Sequence, residues 1–229
     1  MASTLVQLRD LIKANTGVKE SPDFKNALIN RWINDAQKQI QLKLFHMGYK
    51  EFLGSDSLTL SGVTLGDKSL NSAPLSTDCP NRMGVPNWLV FIDCSNSGGG
   101  ATDKGLAYPV SNRVFLEHLR NTFLAPTDNQ PLCTIINDLL YIAPSTIDTA
   151  TAHYYKEVTD MSSDSDTMDL PEAYATFLTR LVEMRIEDRK GKLQDKQAAM
   201  MELDKDLKEA FQALQIQEVK EPSQTESLQ

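Results

Sequence analysis

Apolar residues recur every three or four positions toward both ends of the chain, while the middle carries short apolar runs separated by turn residues. Leu5, Leu8, Leu11 and Ile12 follow Ser3 and Thr4, a spacing that predicts a helix capped by one of those hydroxyls. Asn15-Thr16-Gly17 stops it, with Gly17 as a left-handed C-terminal residue. Ser21-Pro22-Asp23 then sets a capping hydroxyl, a first-turn proline and an acid matched to the helix dipole in order, so a second helix is predicted from there. Phe24, Leu28, Trp32, Ala36, Ile40 and Leu44 repeat every four residues, and Ile29, Ile33 and Leu42 widen the stripe. The helix is expected to end at Phe45 or His46, before Gly48. Two antiparallel helices joined by a short loop therefore come first.

After Gly48 the texture changes to Ser, Thr, Gly, Pro and Asn with short apolar runs between them. Leu58-Thr59-Leu60 and Val63-Thr64-Leu65 flank Ser61-Gly62, which reads as a hairpin. Trp88-Leu89-Val90-Phe91-Ile92 has no polar alternation and reads as a buried strand. Cys133-Thr134-Ile135-Ile136 and Leu139-Leu140-Tyr141-Ile142 are separated by Asn137-Asp138, a two-residue hairpin signal. Thr149 to Tyr155 gives a further strand, expected to end the sheet. Between them, Ser111 to Asn121 reads as a short helix using Val114, Phe115 and Leu119. Short strands with frequent turns predict a small antiparallel sandwich or barrel.

Asp160 to Asp169 reads as a polar loop, with Asp169 capping the helix that Leu170-Pro171-Glu172 begins. Tyr174, Phe177, Leu178, Leu181 and Val182 form one apolar face up to about Lys190, and Gly191 breaks or bends the helix. Leu193, Ala199, Met200, Leu203, Leu207, Ala210, Phe211 and Leu214 make another stripe. Beyond Gln217 the composition of Glu, Ser, Gln and Pro predicts a flexible tail. The expected fold class is α+β: an N-terminal helix pair over 1–48 packing with the C-terminal helices, a β domain over 49–156 with a short helix, C-terminal helices over 157–216, and a tail over 217–229.

Charge changes this picture more than composition does. The 229-residue chain carries a formal net charge of -8. Residues 155–229 hold 10 Lys and Arg against 17 Asp and Glu, while the first 154 hold 13 against 14. No basic stripe exists to neutralise phosphates, which argues against sequence-specific binding of DNA or RNA. An acidic surface is still suited to standing beside DNA without gripping it. No run of about 18 apolar residues spans a membrane. The first residues lack the basic-then-apolar order of a secretory signal. The odd, sparse set Cys79, Cys94 and Cys133 fits a reducing compartment.

Candidate chemistry is thin. There is no Gly-x-Ser-x-Gly nucleophile elbow. Gly98-Gly99-Gly100-Ala101-Thr102-Asp103-Lys104-Gly105 has the glycines of a phosphate loop in the wrong order, with Lys before the last Gly and no Ser or Thr after it, and reads as a turn. His46, His118 and His153 lie far apart and share no metal-ligand spacing with a cysteine. Cys79 and Cys94 could meet across the β domain, but Cys94 and Cys133 read better as small core residues. Asp160, Asp164, Asp166 and Asp169 are the best metal candidates. They lack the central Gly of a calcium loop and read as a solvated, capping loop. Glu187-Asp188 falls in a helix surface pattern. No catalytic residue, cofactor or metal is therefore expected, and the protein is expected not to be an enzyme. Trp32 reads either as core or as an interface anchor.

Ser21-Pro22-Asp23-Phe24 followed by Leu28-Ile29-Asn30-Arg31-Trp32-Ile33-Asn34-Asp35-Ala36-Gln37 resembles the opening of tailed-bacteriophage head-to-tail connectors, the neck adaptor or head-completion family. There a short helix precedes a Trp-Ile-Asn-Asp-Ala-Gln helix, then an antiparallel β region, then a Leu-Pro-Glu-x-Tyr/Phe helix start. Here that start is Asp169-Leu170-Pro171-Glu172-Ala173-Tyr174, after Tyr154-Tyr155-Lys156. The regions around Gly98 and Cys79-Pro80 depart from that pattern.

The resemblance implies a wedge-shaped subunit of a homo-oligomeric ring, commonly of twelve copies, docked beneath the portal protein. Such a ring seals the DNA-filled head and offers a platform to a tail or nozzle protein, while DNA passes through its channel without sequence-specific binding. It places the protein in the neck of the virion, made in the host cytoplasm. It also implies that residues 217–229 and the preceding helix contact the portal, making Phe211, Leu214, Ile216, Val219 and Leu228 the candidate partner-binding residues. Other readings stay open on sequence alone: a tail-tube or tail-completion subunit, a cell-wall-degrading head-completion protein acting through carboxylates, or a host binding protein with a chance helix match.

Overall fold

The computed structural model describes residues 3–49, 52–85, 87–95, 104–193 and 195–220, with Lys104 and 214–220 described by their backbone alone. The chain divides into two compact units: residues 1–49 with 158–229, and residues 50–157.

The first unit is helical. Helix α1 spans Leu5–Thr16, and Thr4 caps it as the sequence predicts, its hydroxyl accepting from Gln7 N–H while the Gln7 side chain returns to the Thr4 N–H. Gly17, at φ 65°, ends it. Helix α2 spans Asn26–His46. Its start differs from expectation: Ser21 and Phe24 close a turn, in which Phe24 N–H donates to the Ser21 carbonyl at 3.1 Å, and the helix opens only after Lys25. Its buried face also differs. Ile29, Ile33, Ala36, Ile40 and Leu44 are buried, whereas Phe24, Leu28 and Trp32 are half-buried and Leu42 is exposed. A strict four-residue repeat drifts around a helix of 3.6 residues per turn, so only its later members stay on the core face.

Glu172–Tyr174 form a short 3-10 turn that leads into helix α5, Ala175–Arg189. Helix α6 spans Lys196–Lys220. Residues 217–220 are thus helical where a tail was expected from Gln217, and 221–229 lie outside the described residues. Gln, Glu and Lys all propagate a helix, and Pro222 stands just beyond. Helix α5 contacts α1, α2 and α6. Leu178, Leu181, Val182 and Ile186 of α5 and Leu203, Leu207 and Phe211 of α6 are buried.

The second unit is a sheet of eight strands: β1 Leu53–Ser57, β2 Ser61–Leu65, β3 Lys68–Pro74, β4 Leu89–Ser95, β5 Lys104–Pro109, β6 Leu132–Ile136, β7 Leu139–Ala143 and β8 Thr149–Tyr155. A single-turn helix α3, Leu75–Asp78, follows β3, and helix α4, Asn112–Arg120, lies between β5 and β6. The order is β1-β8-β4-β5-β6-β7-β3-β2. The fold is α+β, but the expected antiparallel sandwich or barrel is replaced by one mixed sheet. The β5–β6 pairing, Tyr108 opposite Leu132 and Pro109 opposite Cys133, is parallel. The α4 crossover between these strands permits it.

One apolar cluster draws Ile92, Cys94, Ala150, Ala152 and Tyr154 from one half of this sheet and Ala73, Cys133, Leu140 and Ile142 from the other. Sharing one core requires the sheet to curl on itself. The β6–β7 hairpin turns at Asn137-Asp138 as predicted, both with positive φ. The expected hairpin at Ser61-Gly62 lies elsewhere: β2 pairs with β3 around Gly66-Asp67, and Leu58-Thr59-Leu60 is a connection. Strand β8 is the last in the chain, yet it sits inside the sheet between β1 and β4.

Candidate functional site

The Trp32-to-Gln37 segment is where helix α2 does more than pack. Ile33 and Ala36 are fully buried. Asn34, Gln37 and Gln41, spaced three and four apart, turn their amides to one side. They meet the backbone of residues 158–169. Asn34 Nδ2 donates to Met161 O at 3.0 Å, and Asn34 Oδ1 accepts from Met161 N–H at 3.0 Å. Gln37 Nε2 donates to Thr159 O at 3.0 Å, its Oε1 accepts from Asp169 N–H at 3.0 Å, and Gln41 Oε1 accepts from Val158 N–H at 3.1 Å. Three amides thus do for this loop what a neighbouring strand would do. That accounts for two glutamines, 0% and 1% exposed, on an otherwise apolar face.

The loop itself is anchored at several points. Val158, Met161, Met168 and Leu170 are buried. Leu5 N–H donates to Asp166 O at 2.9 Å and Val6 N–H to Asp164 O at 3.3 Å, which satisfies the open N-terminus of α1. Asp169 accepts from Thr159 N–H at 2.6 Å and so closes the loop's neck, in place of the expected helix cap. Asp164 takes the guanidinium of Arg9 in two bonds, at 2.8 and 3.1 Å. That pairing, with its hydrogen bond as the largest cause, holds Asp164 below the usual carboxylate range and raises Arg9. Asp166 accepts from the hydroxyl and N–H of Ser163 and from the N–H of Ser162, which hold it well below that range.

The outer side of the motif forms an open cleft of about 480 Å³ lined by Trp32, Asp35, Arg185, Asp188 and Arg189. The Arg189 guanidinium lies 5.8 Å from the Phe24 ring and 5.9 Å from the Trp32 ring. Arg185 pairs with Asp35 at 3.6 Å, and Asp188 with Lys196 at 2.5 Å. Trp32 is therefore a half-buried shelf for Arg189, between the two roles its sequence position allowed.

The other candidates are scattered. Among the described residues no three His, Cys, Asp or Glu side chains form a metal-holding group. His118 bonds to the Leu124 carbonyl at 3.0 Å, and His153 stacks on Phe91 with ring centroids 4.4 Å apart. Glu187 pairs with Lys190 at 3.1 Å. Cys79, Cys94 and Cys133 are all buried and free, and burial pushes Cys79 up to about 11 and Cys94 up to about 12. The 96–103 glycine segment lies outside the described residues. No helix among the described residues is long and apolar enough to cross a membrane.

Of the candidate partner residues, Phe211 is 5% exposed and meets the Tyr49 ring edge-on at 6.2 Å. Leu214, Ile216 and Val219 fall on the helical backbone of α6, with side chains outside the description, and Leu228 lies outside the described residues. Sequence reasoning missed the amide clamp because nothing in a Gln distinguishes a buried backbone partner from a solvated one. The hint was their place on the apolar stripe, with Gln37 beside Ala36 and Gln41 beside Ile40.

Residues 3–225 match the family model for the SU10 adaptor protein, and the chain belongs to that family. It is a bacteriophage structural adaptor that works with other phage structural proteins. No curated protein matches the chain.

Proposed function

We propose that this protein is the head-to-tail adaptor of the virion neck. Copies form a ring, expected at twelve, beneath the portal, join the DNA-filled head to a tail or nozzle protein, and perform no catalysis. The observation that carries this reading is the match to an adaptor family along residues 3–225. Two physical features support it. A net charge of -8 suits a channel through which DNA slides without sticking. Helix α6, Lys196–Lys220, is about 37 Å long at 1.5 Å per residue. Its packing against the unit is carried by Leu203, Leu207 and Phe211, and the helix continues past them. That continuation, with residues 221–229 after it, is the segment we assign to the portal.

Deleting residues 217–229 tests the assignment. Portal binding is expected to fall sharply while the melting of the remaining chain stays put. Unchanged binding by the truncated protein would contradict it.

A further inference from the structure

Phe123 is 99% exposed and Leu124 is 51% exposed, both in the turn after α4. An aromatic ring wholly in water on a loose segment would mean little. This one is held. Phe123 N–H donates to Asn121 Oδ1 at 3.0 Å, Leu124 N–H donates to Asn121 O at 3.1 Å, and His118 Nδ1 bonds to Leu124 O at 3.0 Å. Thr127 and Gln130 then close the loop in a two-residue bridge. Behind it the backbone is locked: a Cβ at Gly105 would lie 2.5 Å from Asp128 O and 2.4 Å from Pro131 Cδ. The turn's backbone is held while the ring it carries stays in water.

The same unit carries an unfilled cleft of about 330 Å³ lined by Trp88, Val90, Tyr108, Pro109 and Ile135. That is within the range of cavities that take small organic groups. Tyr108 at its rim is 56% exposed. Phe123 cannot be filling its own cleft, since almost none of its surface is covered. Among the described residues no carboxylate or cation lines the cleft, and residues 121–127, Asn-Thr-Phe-Leu-Ala-Pro-Thr, carry no charge. Copies of a chain with net charge -8 repel one another, so a contact between uncharged surfaces is the one least opposed.

We propose that Phe123 of one copy inserts into the Trp88–Tyr108–Ile135 cleft of a second copy of this chain. A knob and a hole at different places on one subunit make a heterologous contact, which closes a ring when the rotation between subunits allows. This deepens the ring assignment and rests on that reading for its supply of neighbouring copies. A Phe buries about 150–250 Å², against roughly 800 Å² per partner in a stable interface. The contact is therefore weak between free copies and gains strength where copies are held side by side.

A photo-crosslinking residue at position 123 of the full chain tests this without any portal present, from micromolar to near-millimolar protein. Covalent capture accumulates even brief encounters. The expected products are dimers and longer ladders whose linked peptides contain residues 88–90, 108–109 or 135. Adding Tyr108→Glu to the crosslinking chain, an exposed substitution that leaves folding intact, cuts the product about tenfold or more. Mixing that chain with a Phe123→Asp copy, whose cleft is unaltered, restores a product that stops at the dimer. Linked peptides elsewhere, or no concentration-dependent product, would overturn the contact. Failure of portal binding would leave this result untouched, so the two proposals fail separately.

Discussion

Gln37 and Asp169 are joined through the side-chain amide of the first and the backbone N–H of the second, 3.0 Å apart. The other end of the same amide donates to Thr159 O at 3.0 Å, so one glutamine spans the neck of the loop between them. Gln37→Ala strands both backbone groups and is expected to cost about 1–3 kcal/mol. Gln37→Glu keeps the acceptor for Asp169 but places a carboxyl in a fully buried position and, once ionised, loses the donor to Thr159. Burial raises such a carboxyl above its unfolded value, so the variant's stability is retained at low pH and lost as pH rises. Denaturant midpoints at pH 5 and pH 8 check this; a Glu variant equal to the parent at both would refute the clamp.

Acid behaviour follows from Asp164 and Asp166, both held below the ordinary carboxylate range. A depressed folded-state value contributes stability that is complete above the unfolded value of about 3.9 and is lost as pH falls through the lower one. Hydrogen-exchange protection across 160–169, taken relative to the intrinsic rate at each pH, is expected to hold down to about pH 4 and to fall below it. In Asp166→Asn the acid-dependent part of that change should shrink. A mutant profile that overlays the parent profile would remove Asp166 from the account.

Gly105 and Gly17 resist substitution for different reasons. Alanine at Gly105 meets backbone and ring atoms at 2.4 and 2.5 Å and must displace the 128–131 segment, an overpacking cost of about 1–3 kcal/mol. Alanine at Gly17 meets nothing within 4 Å but sits at φ 65°, so its cost is conformational, about 1 kcal/mol. Thermal melts rank Gly105→Ala below Gly17→Ala; the opposite order would show that the close approach is relieved cheaply.

The thiols should be silent in the folded protein. Burial pushes Cys79 up to about 11 and Cys94 up to about 12, and it raises Cys133 as well. At pH 8 all three stay protonated, and the thiolate is the reactive form. A colorimetric thiol reagent is expected to label none of them natively and all of them in denaturant. Rapid native labelling would contradict their burial.

Local chemistry was legible in part. One of the two hydroxyls at Ser3 and Thr4 caps α1, Gly17 ends it, and Asn137-Asp138 turns the β6–β7 hairpin, whereas Ser21-Pro22-Asp23 makes a separate turn and α2 opens after Lys25. Where long-range pairing decides an element, the sequence was silent. Strand β1 reads Leu-Gly-Ser-Asp-Ser, with nothing β-like beyond its first residue, and forms because it pairs with β8 from Leu53 opposite Tyr155 to Ser57 opposite Thr151. Strand β5 hides behind Gly105 and two exposed apolar residues, Leu106 and Tyr108. The amide clamp was illegible for the same reason, since its partners lie more than a hundred residues away. The Phe123 knob was missed because exposure of a single ring is a property of the fold.

The most direct test of the central claim is to mix the purified full chain with an intact portal ring and examine the product by negative-stain microscopy and light scattering. The account predicts one added layer beneath the portal, with a copy number matching the portal's symmetry. An intact portal ring that gains no layer would contradict the head-to-tail assignment and shift it to the tail.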